Sequence, residues 1–129
     1  MTTNRRAFTQ GLAGLGAIMA APALAQGKTV EIAMKQSPKM LFVPATANIK
    51  SGDTVHWTNP YSTTHSVTFD PAMAATAANV ALPDGVAAFD SGNIEEDGSF
   101  SHTFTVKGTY KYVCKYHEAM GMVGTIIVS

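Results

Sequence analysis

Phe100-Ser101-His102-Thr103-Phe104-Thr105-Val106-Lys107-Gly108-Thr109-Tyr110-Lys111-Tyr112-Val113-Cys114 is the stretch whose reading decides the fold. Phe100, His102 and Phe104 alternate with small polar residues; Tyr110 and Tyr112 alternate with Thr109 and Lys111. A period of two is that of a strand with one buried face. Lys107-Gly108 breaks the alternation with a turn, so the stretch predicts two strands joined tightly.

The same signal recurs upstream. Val30–Met34 alternates, and Ala47–Lys50 leads through Ser51-Gly52-Asp53 into Thr54–Thr58. There Val55 and Trp57 face one way, while Thr54, His56 and Thr58 face the other. Asn59-Pro60 breaks that strand, and His65–Phe69 resumes the pattern until Asp70-Pro71. Ala87–Asp90 and Thr125–Val128 complete the series. Residues 72–85 differ, being alanine-rich and closed by Leu82-Pro83-Asp84-Gly85; a short helix around 72–82 and a loop both remain open. Seven to eight short strands with turn signals between them predict an all-β sandwich or barrel. Trp57, Tyr110 and Tyr112 read as core, with Tyr112 at a tyrosine-corner position. His56 reads as a surface residue and His102 as a partly buried packing residue.

The first 25 residues read as an export signal. Arg5-Arg6 precedes a Gly/Ala-rich, weakly apolar stretch, and Ala23-Leu24-Ala25 is a small-x-small cleavage site before Gln26. Paired arginines in that setting match a twin-arginine signal; an ordinary secretory signal is the alternative. The expectation is a periplasmic protein with a single domain over residues 26–129 and no membrane anchor. Cleavage leaves seven lysines against nine acidic residues, a net charge near −2. No basic stripe remains for nucleic acid. Glu95-Glu96-Asp97 is an acidic run in a turn, a solvated face or a docking patch for a positive partner.

Cys114, the only cysteine, cannot form an internal disulfide. His117 and Met122 follow it closely. An unpaired cysteine is more often a small buried hydrophobe than a ligand. Thiolate, imidazole and thioether together change that weighting, because two imidazoles, a thiolate and a weak axial thioether form the blue-copper electron-transfer site. The second imidazole is missing from the run, and His65, opening its strand after a loop, is the candidate to supply it.

Gly52-Asp53-Thr54-Val55-x-Trp57-x-Asn59, His65-Ser66-Val67, Gly108-Thr109-Tyr110-x-Tyr112-x-Cys114-x-x-His117 and Met122-Val123-Gly124-x-Ile126 together resemble the small cupredoxins, nearest plastocyanin, pseudoazurin and amicyanin. The resemblance implies a Greek-key β-sandwich and a mobile one-electron carrier, not an enzyme, binding one Cu(I)/Cu(II) ion. Carried over by position, the metal ligands are His65, Cys114, His117 and, axially, Met122, with Met120 as the alternative at the shorter spacing. His65 is expected to have its second ring nitrogen tied to an acceptor. The exposed edge of His117 is the implied electron port, ringed by apolar residues such as Met120, Gly121 and either Met40 or Pro44. Redox proteins docking transiently there are the implied partners, and the chain is expected to be a monomer. Two residues depart from the pattern: Ser66 stands where the family usually has Asn, and Tyr116 where it often has Pro. The rival functions are copper delivery or storage, a multi-copper enzyme and a zinc site. Scattered methionines, four histidines and the thioether count against them in turn.

Overall fold

Burial follows the period-two segments and sorts them into two facing sheets. The computed structural model describes residues 27–129; the expected export signal and its cleavage point at Ala25/Gln26 lie outside the described residues. The strands are β1 (Thr29–Lys35), β2 (Leu41–Val43), β3 (Thr46–Ile49), β4 (Asp53–Asn59), β5 (Thr68–Phe69), β6 (Phe89–Asp90), β7 (Gly98–Phe104), β8 (Gly108–Val113) and β9 (Val123–Val128). One sheet runs β2-β1-β4-β7 and the other β3-β9-β8-β5-β6. β1 pairs parallel with β4, and β3 with β9; the remaining pairs are antiparallel. This is the all-β Greek-key sandwich expected, with β2 as an added strand too short to display a period.

β4 buries Asp53, Val55, Trp57 and Asn59 and leaves Thr54, His56 and Thr58 half-buried, as alternation requires. Trp57 crosses the interior to β8, where its Nε1 donates to the Tyr112 hydroxyl at 3.0 Å. Phe69 stacks on Tyr112 at 4.8 Å between centroids, and Phe104 meets Tyr110 edge-on at 4.9 Å. Each buried aromatic is worth about 1.5–3 kcal/mol in area alone, and each well-oriented pair about 0.5–1.5 kcal/mol more. Tyr110, Tyr112 and Cys114 share the inward parity of β8, so the aromatic core fixes where the cysteine points. Tyr112 faces Gly124 across the β8–β9 pair; a Cβ at that glycine would collide with the tyrosine ring.

The tyrosine corner is made by Tyr110, not Tyr112. The Tyr110 hydroxyl donates to the Val106 carbonyl at 2.6 Å, because Tyr110 lies beside the Lys107-Gly108 turn. Tyr112 sits two residues deeper, where its oxygen meets Trp57 instead. Residues 72–85 form no α-helix. Single 3₁₀ turns occur at Pro71–Met73 and Ala77–Asn79, and neither buries a residue. An alanine run without an apolar stripe has nothing to anchor a longer helix. His65 makes an isolated bridge to Ile94, and regular pairing begins only at Thr68. His56 holds Glu31 at 2.9 Å on the outer face, and His102 stacks on Phe89 at 4.0 Å. Burial lowers the pKa of His102.

Candidate metal centre

His65 is placed by backbone. Its N–H donates to the Ile94 carbonyl at 3.1 Å, and the Ile94 N–H returns a bond to the His65 carbonyl at 2.8 Å. Asn59, fully buried at the end of β4, organises the loop before it. Its Nδ2 donates to the Thr63 and Ile94 carbonyls at 2.8 and 3.0 Å, and its Oδ1 accepts from the Tyr61 N–H at 3.1 Å.

Cys114 leaves the inward face of β8 into a tight return loop. The Cys114 N–H donates to the Met122 carbonyl at 3.0 Å, and the Met122 N–H donates to the His117 carbonyl at 3.2 Å. Glu118–Met120 is one 3₁₀ turn, closed by Gly121 at φ 90°. That left-handed conformation suits glycine. Met122 is fully buried, whereas Met120 is 62% exposed.

Ser66 ties the two donor-bearing segments together. Its Oγ accepts from the Lys115 N–H at 3.0 Å and donates to Thr68 Oγ1 at 2.9 Å, which donates in turn to Asp90 Oδ1 at 2.6 Å. Tyr116, in place of proline, is held at its far end by Asn93.

Three donor atoms converge at this end of the sandwich. One atom each from His65, Cys114 and His117 lies within 4.8 Å of the others. The Nδ1 atoms of His65 and His117 lie 3.7 and 3.4 Å from Cys114 Sγ. Metal–nitrogen and metal–sulfur bonds of about 2.0 and 2.3 Å at open angles give nitrogen–sulfur edges of about 3.4–3.8 Å. The donors therefore fit a single ion. Burial, and then the neighbouring His117, lower the His65 pKa to about 4; burial also lowers that of His117. Both imidazoles are thus neutral lone-pair donors at physiological pH.

His65 Nε2 corrects one expectation: buried, it makes no hydrogen bond within the protein. Asn59 occupies the carbonyls of the flanking Thr63 and Ile94. The sequence pattern gave no role at the site to two residues that organise it, Asn59 and Glu118. Asn59 carried a signal, since it shares the inward parity of Val55 and Trp57 where a polar residue needs partners. Glu118, buried one position after His117, accepts from the Ala75 N–H (2.8 Å), the Thr76 N–H (3.0 Å) and Asn79 Nδ2 (2.9 Å). Burial pushes its pKa up, but the bonds from Asn79, Thr76 and Ala75 outweigh that and hold it below the ordinary value. Its donors lie some forty residues away, so no local pattern reveals it.

The sequence profile of copper binding proteins, plastocyanin/azurin family, matches residues 28–129. The chain belongs to that family. Family membership and the donor cluster agree on one copper ion as the cofactor. Among the family's members, the chain is 36% identical over 92 residues to the chloroplastic plastocyanin of Tetradesmus obliquus, covering 71% of this chain and 61% of that one. It thus spans less than two thirds of that relative's length. It is 35% identical over 92 residues to the plastocyanin of Scenedesmus fuscus, covering 71% of this chain and 90% of that one. A Cu(I) structure of an amicyanin variant superimposes with a TM-score of 0.60 at 27% identity, covering 78% of this chain and 82% of that chain.

Proposed function

We propose that this chain is a periplasmic type 1 copper protein that acts as a mobile one-electron carrier. In this reading His65 Nδ1, Cys114 Sγ and His117 Nδ1 hold the copper, and Met122 is the axial ligand. The observation that carries it is the meeting of Cys114 Sγ and two neutral imidazoles within 4.8 Å, with His65 49 residues from Cys114 along the chain. The burial of Met122 and the bond from the Cys114 N–H to its carbonyl favour it over the exposed Met120.

Bound copper supplies the one-electron chemistry, and the protein supplies donors, burial and orientation. Cys114 serves as thiolate, the form that ligates. His65, Cys114 and Met122 are sealed from solvent, so water does not compete for the site. The donors are set by strand ends and a short braced loop, which keeps them in place as the charge at the site changes. His117 alone of the three donors is partly exposed, and its edge is the route for the electron. Around it Met120 is 62% and Tyr116 48% exposed, a small apolar face suited to transient docking of redox partners. Proteins of this family carry electrons and do not turn over a substrate.

Arg5-Arg6 and Ala23-Leu24-Ala25 support twin-arginine export, with residues 26–129 forming one domain after cleavage. Among the described residues, no helix is long and apolar enough to cross a membrane. A monomer is the working form. The test is to load the exported chain with Cu(II) and record visible and electron-paramagnetic spectra before and after reduction. A strong sulfur-to-copper band with small hyperfine splitting, bleached and restored reversibly, is the expected result. A colourless protein, or one that surrenders copper at once to a mild chelator, would point to delivery instead.

A further inference from the structure

Pro71–Asn79 crosses the surface beside the ligand loop without burying a single side chain. A segment with no apolar anchor normally frays. Here it is held from the other side. The carboxylate of Glu118 receives two consecutive backbone N–H groups, those of Ala75 and Thr76, and the Asn79 amide. Glu118 shares a peptide bond with His117 and begins the 3₁₀ turn that His117 caps. The loop is otherwise tied at its base, through Cys114, His117 and Met122, at Lys115 through Ser66 Oγ and at Tyr116 through Asn93.

We propose that Glu118 is a positioning residue of the copper site: its carboxylate clamps residues 75–79 onto the ligand loop and so fixes the imidazole of His117. The inference rests on the copper-carrier reading for its redox consequence but not for its geometry. Three charge-assisted hydrogen bonds on one carboxylate order both partners at once. A negative charge beside a ligand also favours the more highly charged oxidation state of the ion. The clamp therefore works against departure of His117 and holds the reduction potential down.

Glu118→Gln tests it, because the amide keeps the shape but turns an N–H toward a donor. The first readout is amide exchange in the copper-free protein. Ala75 and Thr76 should exchange roughly tenfold faster or more, the factor expected for losing one hydrogen bond to a charge, with β4 and β8 unchanged. The second is the loaded protein. Its sulfur-to-copper band should persist, its midpoint potential should rise, and in the Cu(I) form the His117 ring signals should shift while those of His65 stay. Asn79→Ala removes one donor without altering a residue of the ligand loop and should move the same readouts less; it decides the matter if Glu118→Gln does not fold. Exchange within about twofold of the parent at Ala75 and Thr76, or an unaltered potential and His117 spectrum, would overturn the proposal. A parent protein without the sulfur-to-copper band would instead sink the carrier reading, and the exchange measurement would still decide the clamp.

Discussion

His65 and His117 approach the same sulfur from regions built on different principles. His65 belongs to the framework: its backbone is bridged to Ile94, its loop is gathered by buried Asn59, and no solvent reaches its ring. His117 belongs to a short loop whose neighbours Tyr116, Ala119, Met120 and Gly121 are all exposed. Its position is maintained by hydrogen bonds at the loop's base, by Tyr116 on one side and by Glu118 on the other. In the proposed carrier the contrast serves two demands. One donor is sealed, which would keep water from a bound ion. The other lies near the surface, which would give a redox partner its path.

The largest effect should come from replacing each imidazole in turn. In His65→Gly and His117→Gly the sulfur-to-copper band should disappear, and free imidazole should restore it only in His117→Gly. Restoration in both would mean that His65 is not sealed, and the contrast would fail.

Proton linkage gives a second, graded probe. Burial and the nearby His117 bring His65 from 6.5 to about 4, and burial lowers His117 as well. In the copper-free protein the unfolded chain therefore takes up the proton first as pH falls. The contribution of His65 to stability is complete above about pH 6.5 and lost on descending through 4, a total of roughly 3 kcal/mol. Chemical denaturation across that range should show the decline, and His65→Gln should flatten most of it. A parent profile already flat would contradict the sealed environment.

A third change strikes the framework alone. Gly124→Ala places a methyl against the Tyr112 ring, an overpacking expected to cost about 1–3 kcal/mol in denaturant midpoints. The absorption band should survive where the fold does. The smallest effect belongs to the rim. Met120→Ala should slow reduction by a partner several-fold, by roughly 1 kcal/mol of interface contact, while leaving the visible spectrum intact. A lost spectrum would make Met120 a ligand in place of Met122.

What the chain discloses in advance follows the same division. The framework is written in period two: β4 and β7 were legible because each alternates over seven residues, and β8 because it alternates from Gly108 to Tyr112. β2, three residues long, has no room for a period. His65, Cys114 and His117 were legible as donor types, and the fold brings all three together. The tyrosine corner went to Tyr110 because hydroxyl reach depends on distance to the turn, which alternation does not encode. The alanine run at 72–82 resolves into separate 3₁₀ turns because helix propensity without an apolar face finds no packing partner. The bonds of Asn59 and Glu118 join segments remote in sequence, so only the folded chain discloses what they hold.

The most direct test is a crystal of the copper-loaded protein, measured at wavelengths on either side of the copper absorption edge. One anomalous peak is expected at bonding distance, about 2.0–2.3 Å, from His65 Nδ1, His117 Nδ1 and Cys114 Sγ together. A peak that excludes His65, or that lies at another part of the surface, would contradict the three-donor site.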